Sequence, residues 1–121
     1  MAIPLLICDD SNMARRQLVK ALPEGWDVSI SYASNGLEAL AAIRQGKGEM
    51  VFLDLTMPEL DGFGVLAAIR EEDLKSVVIV ISGDIQPLAR DRVLQLGAID
   101  FIKKPISQEK LRQTLETFGL L

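Results

Sequence analysis

Charged residues directly follow three apolar segments of this chain. Asp9 and Asp10 follow the first segment, and Asp54 follows the second. Lys104 and Pro105 follow the third. Uninterrupted apolar segments of this kind are typical of buried strands in a parallel sheet. Because ligand-binding groups collect at the carboxyl ends of such strands, we expect these residues to meet at one edge of a sheet.

Three carboxylates brought together in this way would repel one another. At a separation of about 5 Å and an effective dielectric constant near 20, each pair costs roughly 3 kcal/mol. A bound cation would remove that cost, and a site made only of oxygen atoms suits Mg²⁺. Since Mg²⁺ in proteins is commonly bound together with phosphate groups, the cluster indicates phosphate chemistry.

The size and charge of the chain limit the kind of protein. A length of 121 residues predicts one domain, covering residues 1–121. The net charge of −4 does not supply the basic field that nonspecific nucleic-acid binding requires. No apolar segment approaches the ~20 residues of a membrane span, so neither nucleic acid nor a membrane is an expected partner. The single Cys8 cannot form an internal disulfide, which favours a reducing compartment, the cytoplasm.

The chain contains no histidine. This excludes catalysis by a histidine acid or base, nucleophiles activated by histidine, and histidine metal ligands. If a phosphohistidine supplies phosphate to this protein, that residue must belong to another molecule.

Hydrophobic periodicity predicts five strands, each followed by a helix. Ser11 is expected near the start of the first helix, and Pro87 in the first turn of the fourth. Ser107 is expected to cap the fifth helix, which would turn Phe118 inward together with two leucines. In the second strand Tyr32 continues an alternating apolar pattern. The predicted strands cover residues 5–8, 28–32, 50–53, 77–81 and 100–103.

Five strand–helix units with right-handed crossovers predict an α/β fold, a (βα)5 doubly wound parallel sheet with helices on both faces. The first, third and fourth strands are apolar throughout and suit the centre of the sheet. The second strand alternates and the fifth is short and contains Lys103, so both suit edges. These positions match the strand order 2-1-3-4-5, which is known from flavodoxin-like folds.

Five motifs, taken together and in this order, resemble the receiver domain of two-component response regulators. Each motif alone is weak, but all five fall at the carboxyl ends of predicted strands, and the resemblance covers essentially the whole chain. The motifs are Asp9-Asp10, Asp54-Leu55-Thr56-Met57-Pro58, Asp61-Gly62, Ser82-Gly83 and Lys104-Pro105.

The resemblance implies that Asp54 accepts a phosphoryl group from a sensor histidine kinase or a phosphotransfer protein, forming an aspartyl phosphate. Mg²⁺ would be held by Asp9, Asp10, Asp54 and the backbone carbonyl of Thr56, with Asp10 the more direct ligand of the first pair. Lys104 would bind a phosphoryl oxygen as a point charge. The domain would be a phosphoacceptor that assists its own phosphorylation and dephosphorylation, and not an enzyme.

The same resemblance implies that Ser82 and Phe101 carry the signal. The hydroxyl would turn toward the phosphoryl group and the ring would fill the space it leaves, which changes the surface of the fourth helix, fifth strand and fifth helix. Serine stands here in place of the commoner threonine, and phenylalanine in place of the commoner tyrosine. The surface would address a downstream output protein or a C-terminal output domain, with a phosphorylation-dependent dimer left open.

Each of these residues also has a simpler reading. Asp9 or Asp10 could cap the first helix, and Asp54 could be a loop acid. Lys104 could be a solvated lysine like its neighbour. Ser82 could be an ordinary strand-end hydroxyl, and the aromatic residue of the fifth strand could be plain core. Asp61 and Gly62 are interpreted as turn and helix-start residues and not as ligands.

Three other classes of protein compete with this interpretation. A dehalogenase-type phosphohydrolase needs a second aspartate two residues after the nucleophile, where this chain has Thr56. A flavin carrier of the same topology needs a phosphate-binding loop after the first strand, where Asp9 and Asp10 would repel phosphate. A receiver-like module without phosphorylation would be expected to lack some of the five motifs.

Overall fold

The computed structural model describes residues 2–83 and 86–121 and shows a five-stranded parallel sheet in the order β2-β1-β3-β4-β5. The predicted fold class, strand order and alternation of strands with helices are therefore confirmed. The strands are β1 (Ile3–Cys8), β2 (Val28–Ala33), β3 (Met50–Leu53), β4 (Val77–Ser82) and β5 (Asp100–Lys103). The helices are α1 (Asn12–Ala21), α2 (Gly36–Arg44), α3 (Gly62–Glu71), α4 (Ala89–Gln95) and α5 (Gln108–Thr117).

Four of the five helices begin at a side chain that caps them. Ser11, Asn35, Asp61 and Ser107 each accept a hydrogen bond from the backbone N–H three residues later. Such a bond satisfies one of the free N–H groups of the first helical turn. The predicted starts at Ser11 and Ser107 are confirmed, and so is the helix-start interpretation of Asp61.

Alternate residues of the strands build two separate hydrophobic layers. Leu6, Val51 and Val80 belong to the layer under α2, α3 and α4. Leu5 and Phe52 belong to the layer under α1 and α5. Because strand side chains point alternately to the two faces, the central strands must be apolar at every position. The central sheet is thus held rigidly from both sides, which fixes the positions of the residues at its carboxyl edge.

The fourth helix begins later than the sequence indicates, so the placement of Pro87 in its first turn is wrong. Pro87 lies in a turn in which the Ala89 N–H donates to the Gln86 carbonyl over 3.1 Å. The Leu88 carbonyl then accepts the first α-helical hydrogen bond, from the Arg92 N–H. Pro87, which the sequence pattern predicts in the first helical turn, therefore lies in the turn that precedes α4.

Two aromatic side chains are more exposed than their patterns predict. Phe118 is 42% exposed because α5 ends before it and the chain reverses at Gly119, which has a φ of +70°. Leu120 packs on the core in its place. Tyr32 is 55% exposed because it is the second-last residue of β2, an edge strand with an open outer side.

Within the described ranges, no helix has the length and apolar character needed to cross a bilayer.

Candidate functional site

The register of the sheet brings Asp9 and Asp54 to the same edge. Cys8 pairs with Leu53 at the ends of β1 and β3, so the residues that follow them emerge side by side. The Asp54 N–H donates to the Cys8 carbonyl over 3.0 Å and extends this pairing by one step. Lys104 follows β5 at the same edge, where its N–H donates to the carbonyl of the last β4 residue over 2.9 Å.

The three acidic residues form one cluster, as their positions predict. One carboxylate oxygen each from Asp9, Asp10 and Asp54 lies within 4.8 Å of the others. Asp9 and Asp54 are buried, whereas Asp10 is exposed. An all-oxygen donor set with two buried charges and one open side fits Mg²⁺, which keeps several of its waters when it binds to protein.

Lys104 lies between the two buried carboxylates. Its Nζ is 2.6 Å from Asp9 Oδ2 and 3.8 Å from Asp54 Oδ2. The ammonium group therefore offsets part of the repulsion between the acids. Lys103 is exposed on the other side of the strand end. The alternation that separates the two lysines in the sequence is confirmed.

The Asp54 carboxylate is anchored on one oxygen and faces the cluster with the other. The Leu55 N–H donates to Asp54 Oδ1 over 2.9 Å, while the Thr56 hydroxyl is 3.5 Å from Oδ2. Burial raises the pKa of Asp54, and the nearby Asp9 charge adds to this. The Lys104 charge and the hydrogen bond from Ser82 oppose the rise in pKa.

This raised pKa predicts how Asp54→Asn changes stability with pH. Between the ordinary Asp pKa and the raised one, the folded state binds more protons than the unfolded state, so wild-type stability falls as pH rises. The asparagine variant lacks this loss. In metal-free buffer we expect the two proteins to be equally stable below the ordinary Asp pKa, about 3.9, and the variant to become more stable as pH rises. Urea unfolding at several pH values measures the difference. A difference that shrinks with rising pH would contradict the assignment.

Asp9 is held by its own turn and is not a helix cap. Its Oδ1 accepts a hydrogen bond from the Ser11 N–H over 3.0 Å, and Ser11 itself caps α1. The Arg15 guanidinium donates to the Asp9 backbone carbonyl. The sequence interpretation did not include Arg15, since nothing in residue spacing shows that an α1 side chain would reach back to the end of β1.

Gly62 contributes to the site in a way that the sequence did not show. Its N–H donates to the Leu55 carbonyl over 2.9 Å. A Cβ atom at this position would lie 2.4 Å from the Asp54 carbonyl oxygen, well inside van der Waals contact. The first turn of α3 can therefore pack directly on the backbone of Asp54 only because residue 62 has no side chain.

Ser82 and Phe101 lie on the face of the sheet that α2, α3 and α4 cover. Ser82 is fully buried at the end of β4, and its hydroxyl hydrogen-bonds to Asp54. Phe101 is half-buried and pairs in register with Val80, two residues before that serine. The peptide bond between Lys104 and Pro105 is cis.

Cys8 is buried at the end of β1 and forms no disulfide. Burial is the main cause that raises the pKa of its thiol, and the Asp9 charge adds to it. A thiol with a raised pKa is a poor nucleophile, so the surroundings of Cys8 suit a residue that packs in the core.

Comparison with known proteins places this arrangement among signalling domains. The chain is 36% identical over 115 residues to the chemotaxis protein CheY of Listeria monocytogenes, covering 94% of this chain and 96% of that protein. It is 38% identical to the probable C4-dicarboxylate response regulator DctR of Priestia megaterium, covering 94% of this chain and 50% of that protein. It spans half or less of this relative and of a 39% identical methylesterase/glutaminase of Geobacter sulfurreducens.

Solved structures agree with this relationship over nearly the full chain. The receiver domain of the putative response regulator NarL from Mycobacterium tuberculosis superimposes with a TM-score of 0.86 at 28% identity, covering 98% of this chain and 96% of that one. CheY in the CheX–CheY–BeF₃–Mg²⁺ complex from Borrelia burgdorferi gives 0.83 at 32% identity, covering 94% and 87%. The family profile of the response regulator receiver domain matches residues 5–116. This chain belongs to the response regulator receiver domain family of two-component signalling.

Proposed function

We propose that this receiver domain, residues 1–121, takes a phosphoryl group from a phosphohistidine onto Asp54. The observation that carries the proposal is the buried Asp54 carboxylate in a cluster with two further acids, beside the Lys104 ammonium group. A carboxylate oxygen forms the new bond to phosphorus as the bond from phosphorus to the imidazole nitrogen breaks. The electron pair of that bond stays with the imidazole of the donor.

Mg²⁺ would be bound by Asp9, Asp10, Asp54 and the backbone carbonyl of Thr56. When bound, it would supply positive charge to the phosphoryl oxygens and help to align the group for in-line transfer. The fit rests on the donor atoms, since three carboxylate oxygens already lie within 4.8 Å of one another. The exposure of Asp10 suits a direct ligand at the open side of the site, and the close pairing of Asp9 with Lys104 suits a less direct role.

The residues of this chain would hold and orient the Asp54 carboxylate and the phosphoryl group. The Leu55 N–H fixes the rotation of the Asp54 carboxylate. The Lys104 ammonium group would leave Asp9 and bind a phosphoryl oxygen. The Ser82 hydroxyl would give up its hydrogen bond to Asp54 and form one to the phosphoryl group. Phe101, on the same face of the sheet, would follow that serine and change the surface of α4, β5 and α5.

The donor would be a sensor histidine kinase or a histidine phosphotransfer protein, since this chain has no histidine of its own. We place the exchange in the cytoplasm, because the free buried Cys8 suits a reducing compartment. The switched surface would contact an output protein or an output domain. Some relatives are about as long as this chain and others are longer, since this chain covers 96% of the Listeria protein but 50% of DctR.

Labelling by a small phosphodonor tests the acceptor. We expect acetyl phosphate with Mg²⁺ to add one phosphoryl group to the wild type in intact-mass spectra, and to add none to Asp54→Asn. Asparagine keeps the size of the side chain and the acceptor oxygen for the Leu55 N–H, so loss of labelling is not explained by misfolding. Equal incorporation in both proteins would rule out Asp54 as the acceptor.

Asp10→Asn serves as the matched variant for the metal. This exposed side chain can change without burying a new group, so the fold should be unaffected. We expect its labelling to need more Mg²⁺ than the wild type does, by about tenfold or more, because one ligand charge is lost. An unchanged Mg²⁺ requirement would remove Asp10 from the metal site and leave the acceptor assignment intact.

A further inference from the structure

A groove runs between α1 and the carboxyl end of β2, outside the phosphorylation site. Its volume is about 480 Å³, within the range of small-ligand sites. We call it the α1–β2 groove and define it by its lining residues, which are Asn12, Arg15, Arg16, Val19, Lys20 and Tyr32. The five α1 residues recur at helical spacing and so form one stripe along the helix.

The charge of this groove is opposite to that of the protein. Three of its six lining residues are cationic. Among the residues that the structure describes, no acidic residue lines the groove, although the net charge of the chain is −4. The carboxylate of Glu38, which attracts Arg15, accepts hydrogen bonds from the N–H and hydroxyl of Ser34 and is not part of the lining. Three clustered cations on an acidic domain favour an anion with more than one negative charge.

The groove also offers an aromatic surface. Tyr32 is 55% exposed, against the alternating pattern of its strand, and Val19 beside it is half-buried. An exposed aromatic ring next to an apolar side chain and cations suits a planar, electron-rich group that can stack on it. The lining therefore offers one surface for a flat ring and another for a charged phosphate, and one class of ligand contains both groups.

Arg15 lies beside two oxygen acceptors at the end of the groove. Its guanidinium donates to the backbone carbonyl of Asp9 and to the side-chain oxygen of Asn12. The guanidinium has five N–H donors, so those that do not bond to Asp9 and Asn12 can donate to phosphate oxygens.

We propose that the α1–β2 groove binds a nucleoside phosphate. The base stacks on Tyr32 and Val19, and the phosphates lie against Arg16, Lys20 and the guanidinium of Arg15. This site is separate from Asp54 and does not depend on the proposed phosphorylation. Because Arg15 also bonds to the Asp9 carbonyl, an occupied groove is in direct contact with the turn that carries the acidic pair.

Titration with ADP, followed by amide NMR shifts in metal-free buffer at fixed ionic strength, tests the proposal. We expect saturable shifts at residues 12–20 and 31–33, with a Kd of about 0.1–1 mM. Adenosine alone and pyrophosphate alone should each bind at least about tenfold more weakly, because each offers half of the contacts. If pyrophosphate binds as tightly as ADP, the groove does not recognise the nucleoside. If the NMR shifts do not saturate, the groove is not a specific binding site.

Surface variants separate the groove from general charge attraction. Tyr32→Ala and Arg16→Glu change exposed side chains, and we expect each to weaken ADP binding about tenfold. Lys47→Glu changes an exposed lysine outside the groove by the same charge and should leave the Kd within about twofold. Equal weakening by Arg16→Glu and Lys47→Glu would show nonspecific attraction and contradict the proposal. An unaltered Kd in Tyr32→Ala would do the same.

Discussion

Lys104→Ala should lower the free energy of unfolding by about 2–3 kcal/mol in metal-free buffer. The variant leaves Asp9 and Asp54, both buried, without the cation that is 2.6 Å from one and 3.8 Å from the other. Complete loss of a partner from a fully buried pair costs more, but the lysine side chain is 30% exposed, and water can screen part of the remaining charge. Urea unfolding in the presence of EDTA gives the value.

Lys103→Ala is the matched control for this experiment. Lys103 is the preceding residue and is exposed, so its loss should change stability by no more than about 0.5 kcal/mol. Adding Mg²⁺ should restore most of the stability lost in Lys104→Ala, since a cation returns to the acidic cluster, and the variant should bind Mg²⁺ more tightly than the wild type. If both lysine variants lose the same stability, Lys104 does not neutralise the cluster.

The same variant should separate phosphorylation from signalling. Asp54 and the acidic pair remain in Lys104→Ala, so some labelling should persist. The contact that links a phosphoryl oxygen to the end of β5 is lost, and the NMR shifts that accompany phosphorylation in α4 and β5 should be reduced. Full wild-type shifts in the labelled variant would show that Lys104 does not transmit the change.

Gly62→Ala should cost about 1–3 kcal/mol of stability and slow the labelling of Asp54. The added Cβ would lie 2.4 Å from the Asp54 carbonyl oxygen and 2.8 Å from the Leu55 Cα. Both atoms belong to the backbone of the acceptor loop, so the loop or the start of α3 must move. Urea unfolding and intact-mass labelling with acetyl phosphate measure the two effects.

Gly64→Ala provides the comparison within the same helical turn. A Cβ at Gly64 would meet Leu60 side-chain atoms, the nearest at 2.4 Å, and a leucine side chain can change its rotamer. The gain in helix propensity from glycine to alanine, about 1 kcal/mol, offsets part of that adjustment. We expect near-normal labelling in this variant. Labelling that is equally fast in both variants would show that the approach of α3 to Asp54 does not matter for the chemistry.

The sequence by itself determined the architecture and the membership of the acidic cluster. Periods of two and of 3.6 residues distinguish strands from helices, and wholly apolar strands must lie at the centre of a sheet that is covered on both faces. Parallel strands bring their carboxyl ends to one edge of the sheet. The meeting of residues that follow these strands, such as Asp9, Asp54 and Lys104, can therefore be predicted without knowing how the helices pack. Helix starts at Ser11, Asp61 and Ser107 depend on hydrogen bonds within four residues, which local sequence also contains.

Only the tertiary structure decided how side chains divide their contacts. Which acid Lys104 pairs with depends on differences of about an ångström between strand ends, since its Nζ is 2.6 Å from Asp9 and 3.8 Å from Asp54. The need for glycine at position 62 arises because a helix packs on a backbone eight residues earlier in the chain. The exposure of Tyr32 follows from its place near the end of an edge strand. These features depend on distances between separate elements, and residue spacing along the chain carries no information about such distances.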